Sequence, residues 1–311
     1  MRNCVVNYLI QEAKKNKKNI MLLTWDLWYW VTDAFEKELP DQFINVWIAE
    51  QNMIGIAAWL ALTGKKVFCY SIIPFLTMRC YEQIRIDVCA QNLDVNLVWV
   101  AWWFAYWTLW NTHYWIEDIN VMKWLPNMKI LAPADKIEAE ACMKYLFGNR
   151  WPFFLRLNRW WEPVVYENWL PINTKINEWI VVKEWSEICL ISTWNILWNV
   201  IDATKILESN WMSVQVLSIP AIKPINSEFI LNHIKWKKWV FTVEEHTIIW
   251  WLWDSIASII AENWIQTKFK KLWIPDIFPE IVWNQDYMRW YVWLDGESIA
   301  NTVLHTFYKT N

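Results

Sequence analysis

Only four glycines, Gly55, Gly64, Gly148 and Gly296, are available to turn a chain of 311 residues, where about 22 would be usual at this length. Tryptophan is the counterpart of that shortage, at 31 positions. Segments such as Thr24-Trp25-Asp26-Leu27-Trp28-Tyr29-Trp30 and Trp99-Val100-Ala101-Trp102-Trp103-Phe104 suit neither a core nor a strand. With Gly in place of each Trp they become turns and loops whose backbone can take positive φ. A Trp-rich interaction surface would cluster its rings, whereas these are spread through both halves. The pattern is therefore read as an ordinary glycine distribution overwritten by Trp. A chain that carries the indoles is expected to fold poorly, because a Cβ is penalised at φ > 0 and an indole overfills a tight turn.

Setting Trp aside lowers the apolar share from 56% to about 46%, which is ordinary for a globular protein. The length favours two domains. A net charge of −3 with four histidines leaves no electrostatic footprint for nucleic acid. Apolar stretches such as residues 54–62 are too short to span a bilayer, and Met1-Arg2-Asn3-Cys4 leads into a charged run rather than a cleavable signal. The six cysteines show no Cys-x-x-Cys spacing and read as reduced thiols of a cytoplasmic protein.

Helical and strand patterns alternate along the chain. The spacing predicts helices over 5–15, 32–39, 50–62, 77–90 and 135–147, with strands at 19–23, 43–48, 66–70, 96–98, 129–131 and 153–156. A polar, proline-bearing stretch comes next, and then a second alternation with strands at 188–192, 213–218, 240–243 and 267–272. The expected fold is α/β: two consecutive α/β domains, each a mostly parallel sheet flanked by helices. The boundaries expected are 1–165, a linker at 166–178, and 179–311.

Glu50 falls where a strand's carboxyl end meets a helix start, the place where open α/β sheets bind ligands. A carboxylate simply favoured by a helix N-terminus is the competing explanation. His113, in the loop Trp110-Asn111-Thr112-His113, could act as a general acid or base, or be an unremarkable exposed histidine. Arg156 and Arg159 follow a strand and could clamp an anionic group, or could sit in ordinary salt bridges. Tyr70, Phe75 and Tyr81 suit a core as well as a ring-binding platform. Glu244-Glu245-His246 looks like an acid/base or metal cluster, but adjacent strand residues cannot all face one way, which points to a structural or interface role.

Taken together, these segments resemble the C-terminal half of the transketolase family. Val46-Trp47-Ile48-Ala49-Glu50-Gln51-Asn52-Met53-Ile54-Gly55 is similar to the motif of that family's pyrimidine-binding domain, with Trp47 where the motif has Gly. Trp110-Asn111-Thr112-His113 resembles a Gly-x-Thr-His loop, and Val243-Glu244-Glu245-His246 through Trp253 resembles a motif of the C-terminal domain. The likeness runs from about residue 20 to residue 307.

The resemblance implies thiamine diphosphate chemistry. Glu50 would hydrogen-bond the aminopyrimidine and favour the tautomer that deprotonates the thiazolium. Tyr70, Phe75 and Tyr81 would form the aromatic pocket, with the stacking ring ambiguous by one residue. Asp26 and Leu27 lie in the segment that approaches the thiazolium. His113 would meet a substrate hydroxyl, and Arg159, less surely Arg156, a sugar phosphate. No metal ligand is expected in this chain, because the family's diphosphate and Mg²⁺ segment belongs to an N-terminal domain.

The resemblance thus implies a split transketolase subunit transferring a two-carbon ketol unit between phosphorylated sugars. It would assemble with an N-terminal subunit and with itself, as the homodimer core of a heterotetramer. Transketolases typically carry an acidic residue and a histidine where this chain has Leu109 and Ala101. That difference leaves open a 1-deoxyxylulose-5-phosphate synthase-like subunit, a 2-oxoacid decarboxylase beta-type subunit and a catalytically silent scaffold.

Overall fold

The computed structural model describes residues 1–16, 19–25, 31–100, 116–158, 163–166, 176, 180–184, 186–249, 252–281 and 283–310. The chain divides into two compact units, Met1–Ala132 with Lys136–Glu162 and Pro133–Asp135 with Pro163–Asn311. Most of the expected linker lies outside the described residues. Of its described members, Tyr166 and Ile176 are buried rather than solvated.

The first unit opens with α1 (Arg2–Lys15), whose Val5, Val6, Leu9, Ile10 and Ala13 share one buried face. Then come β1 (Ile20–Thr24), α2 (Asp33–Glu38), β2 (Phe43–Asn45), α3 (Glu50–Leu62) and β3 (Lys66–Ser71). The short α4 (Ile73–Thr77) and α5 (Tyr81–Gln83) precede a π-helical turn at Ile84–Cys89. The unit ends with β4 (Val95–Val100), α6 (Asp118–Lys123), β5 (Lys129–Leu131), α7 (Lys136–Phe147) and β6 (Phe153–Leu157). Its strands lie in the order β5-β6-β4-β3-β1-β2, and every pair is parallel. β1, β3 and β6 are buried along their whole length, as expected of a parallel sheet covered on both faces.

The second unit contains β7 (Ile180–Lys183), β8 (Ile188–Ser192), α8 (Leu197–Ser209), β9 (Gln215–Ser218), β10 (Ala221–Lys223), α9 (Ser227–Ile234), β11 (Trp239–Thr247), α10 (Leu252–Glu262), β12 (Lys268–Ile274), α11 (Gln285–Tyr291) and α12 (Gly296–Thr310). Its five-stranded sheet runs β12-β11-β8-β9-β7, parallel except for the β7–β9 pair. α12 packs on α8, and a Cβ at Gly296 would come within 3.0 Å of the Asp202 Cβ.

Among the described residues five tryptophans occupy the left-handed region: Trp47, Trp194, Trp211, Trp264 and Trp293, at φ of 56°, 59°, 61°, 53° and 58°. Three of them end helices in one way. After α8, α10 and α11, the N–H groups of Trp211, Trp264 and Trp293 donate to the carbonyls of Glu208, Ala261 and Trp290. The next residues, Met212, Ile265 and Leu294, donate to Leu207, Ile260 and Arg289. This is the Schellman motif, which ordinarily places Gly at that position. Gly64, at φ 89°, ends α3 with the same pair of bonds.

Candidate active site

In the first sheet β1 lies between β3 and β2, so the chain leaves the carboxyl end of β1 toward β2 and that of β3 toward β4. The two connections diverge, which opens a crevice at the carboxyl edge between β1 and β3, the usual ligand position of an open α/β sheet. Thr24 and Tyr70 are register partners at that edge. Just beyond them the rings of Trp25 and Phe75 approach to 5.0 Å between centroids.

Glu50 reaches the same region from β2. The strand expected over 43–48 stops at Asn45, because Trp47 turns into the left-handed region and donates its N–H to the Asn45 side chain at 2.9 Å. The Val46 N–H donates to the Thr24 carbonyl at 2.9 Å, which ties this turn to the end of β1. α3 then begins at Glu50, whose residue surface is 3% exposed. A helix start favours a carboxylate, but not one shut off from water.

The partner is Arg79, in the turn between α4 and α5, whose side chain is 46% exposed. Its Nη1 donates to Glu50 Oε1 at 2.6 Å, and its guanidinium carbon lies 4.8 Å from the Phe75 ring centroid. Its carbonyl accepts from the Gln51 side chain at 2.9 Å. Burial, and after it the Glu50 carboxylate, push the Cys80 thiol up to about 12. Reading the sequence does not single out Arg79. The signal available is a cation four residues beyond a candidate stacking ring.

The structure thus brings Glu50 and Phe75 together through Arg79, with Tyr70 buried in the adjoining strand. Tyr81 is half-buried in α5, and among the described residues no hydrogen bond or ring contact joins its side chain to Glu50 or Phe75. Arg156 is a fully buried residue of β6 whose Nε lies 2.9 Å from Asp118 Oδ2, also fully buried. Burial outweighs the guanidinium and raises the Asp118 carboxyl. Asp26, Leu27, His113 and Arg159 lie outside the described residues, as do Ala101 and Leu109.

In the second unit Glu244, Glu245 and His246 are all buried within β11. Glu245 Oε2 accepts from Arg289 Nε at 2.7 Å, and Arg289 Nη1 donates to Asn199 Oδ1 at 2.7 Å. The carboxylate thus fastens α11 and α8 to the sheet, a structural role.

The family model for the transketolase pyrimidine-binding domain matches residues 2–160, and that for the transketolase C-terminal domain matches residues 177–299. The chain belongs to the transketolase family. A putative transketolase C-terminal section of Methanocaldococcus jannaschii is 32% identical over 96% of this chain and 93% of the relative. An apulose-4-phosphate transketolase subunit of Actinobacillus succinogenes is 32% identical over 87% of this chain and 86% of the relative. A 1-deoxy-D-xylulose-5-phosphate synthase of Trichormus variabilis is 26% identical over 97% of this chain but only 47% of the relative.

Among solved structures, a split-gene transketolase described as an inactive beta4 tetramer superposes with a TM-score of 0.87. It is 26% identical, with 98% of this chain and 96% of that one covered. The protein is accordingly a transketolase-type transferase chain, of a family that implies thiamine diphosphate, with the domain content of a C-terminal section.

Proposed function

We propose that this chain is the C-terminal subunit of a two-chain transketolase that moves a two-carbon ketol unit between phosphorylated sugars. The observation that carries this reading is Glu50, a buried carboxylate at the carboxyl-edge crevice, joined through Arg79 to the Phe75 ring. That setting fits an aminopyrimidine, which offers a basic ring nitrogen to a carboxyl group and an apolar face to an aromatic ring. Thiamine diphosphate, when bound, supplies the electron sink that lets a carbon–carbon bond beside a carbonyl break and re-form.

The protein's own share is narrower. Glu50 would hold and return a proton at its carboxylate, where exclusion of water strengthens the hydrogen bond. Phe75 would orient the ring, and Tyr70 would close the wall behind it. Asp26 and Leu27 would border the thiazolium side, with Tyr81 at the margin. His113 and Arg159 remain the residues proposed to meet the sugar hydroxyl and the phosphate. The diphosphate and Mg²⁺ are proposed to be held mainly by an N-terminal partner subunit. Self-association into the core of a heterotetramer and a cytoplasmic location complete the reading. Among the described residues no helix is long and apolar enough to cross a membrane.

We further propose that Trp stands at glycine positions of this chain and impairs its activity as written. The left-handed tryptophans at three Schellman positions support that view.

The test is Glu50→Ala in the assembled complex of the Gly-restored chain, the parent here, assayed with ketose phosphate donors and, separately, with pyruvate. Ketose-dependent turnover should be present in the parent and should fall at least a hundredfold in the variant, a typical loss for a proton-transfer group. Full activity of the variant would refute the assignment of Glu50. Turnover of pyruvate in place of ketoses would favour the synthase or decarboxylase reading, and turnover of neither the scaffold.

A further inference from the structure

We infer that Arg79 is the resident counter-ion of Glu50 in the cofactor-free protein, and that the cofactor's aminopyrimidine must displace it, so that Arg79 sets how tightly the cofactor binds. The inference rests on the proposed role of Glu50. A carboxylate buried as Glu50 is calls for a partner, because an unpaired charge in a low-dielectric setting is strongly disfavoured. Arg79 supplies that partner at 2.6 Å.

The pair is asymmetric. Glu50 is fixed in the first turn of a 13-residue helix, and its surroundings leave it 3% exposed. Arg79 lies in a turn, with its side chain 46% exposed. Its backbone is held by Gln51, while its own charge, already half in solvent, can pass into water at little cost in desolvation. Arg79 is therefore the partner that can move.

One guanidinium also occupies both groups that an aminopyrimidine would use. It donates to Glu50 Oε1, and it lies over the Phe75 ring with 4.8 Å between its carbon and the centroid. The Trp25 ring also approaches Phe75, at 5.0 Å between centroids. A ring that stacks on Phe75 and bonds Glu50 must take both places from the arginine. Whatever Arg79 contributes to the free state is then forfeited on binding, and a ligand's apparent affinity falls by the free-state preference it must overcome.

Removing the arginine should therefore tighten cofactor binding. This is the reverse of what a residue that contacts the bound cofactor favourably would show. Couplings of this kind typically amount to 5–150-fold, and the half-exposed side chain places this one near the lower end, about fivefold to tenfold.

The experiment is calorimetric titration of thiamine diphosphate with Mg²⁺ into the assembled complex carrying the parent chain, Arg79→Met, Arg79→Lys, Glu50→Gln or the Arg79→Met/Glu50→Gln pair. Thermal melting of each, with and without cofactor, gives a readout independent of turnover. Arg79→Met should tighten binding about fivefold or more and lower the melting temperature of the cofactor-free form only. Arg79→Lys should fall between Arg79→Met and the parent, and the gain from Arg79→Met should shrink, to the part owed to Phe75, once Glu50 is Gln.

Binding that Glu50→Gln weakens but Arg79→Met leaves equal or weaker overturns this inference and leaves the role of Glu50 standing. Binding indifferent to Glu50→Gln, or absent from the parent complex, overturns the reading of Glu50 and this inference with it. An Arg79→Met variant that unfolds with cofactor present would show Arg79 to be structural and would likewise overturn it.

Discussion

Trp211 is 99% exposed, yet its backbone at φ 61° is held as firmly as that of Gly64. The side chain contributes little there, while its Cβ costs about 1–2 kcal/mol in the left-handed region. Five described tryptophans share that geometry, and at such a cost they would consume much of a domain's whole stability, about 5–15 kcal/mol. Trp211→Gly, Trp264→Gly and Trp293→Gly should therefore each raise the unfolding free energy by about 1 kcal/mol in a urea titration. Trp59 gives the opposite sign. It lies inside α3 with an exposed ring, and Trp59→Gly should destabilise by about 0.5–1 kcal/mol. Stabilisation at Trp59 equal to that at Trp211 would show that backbone geometry is not the cause. Buried thiols make a second test at this scale. Burial pushes Cys189 from 9.0 up to about 12, and Cys80 rises likewise. A raised folded-state pKa contributes stability that is complete below the unfolded value and is lost as pH climbs through the folded one. Between pH 9 and about 12 each thiol should remove about 1.4 kcal/mol per pH unit, and Cys189→Ala should flatten that slope in denaturant titrations.

At the scale of elements, the buried pair of β6 and α6 invites a direct test. Asp118→Asn removes the carboxylate charge beside the fully buried Arg156 guanidinium, and breaking a buried pair typically costs about 3–5 kcal/mol. The fall should appear in equilibrium unfolding, and a loss below about 1 kcal/mol would mean that other groups already satisfy Arg156. α6 is not legible in the sequence: it spans only Asp118–Lys123, and a run that short carries less than two turns of helical periodicity. β7 and α11 are hidden for the same reason. The helix expected over 77–90 is instead α4, α5 and a π-helical turn, and Arg79 sits at the break between α4 and α5. By contrast α3 is legible to the residue in type and extent, from a long apolar run ending near Gly64. Elements with many periodic residues announce themselves, whereas those made by one tertiary contact do not.

For the whole molecule, the two α/β units follow from alternation alone, because parallel strands need crossovers and leave a long-range rhythm that local misreading does not erase. The site is less legible. Glu50 and Phe75 can be named from motif and position, but that Glu50 is paired, and with which cation, depends on a contact across 29 residues that no local pattern records. For Arg156 the sequence does not record its burial or the Asp118 carboxylate beside it, 38 residues earlier in the chain. The strand order has a consequence in time. Glu50 is reached after β2, but the wall it faces arrives only with β3 and Phe75, on the far side of β1. During synthesis the carboxylate emerges first and waits in an unformed crevice. It acquires its surroundings only when residues 66–79 have been delivered and have docked, so this part of the centre is completed by the chain's return to β1 rather than by the motif that marks it.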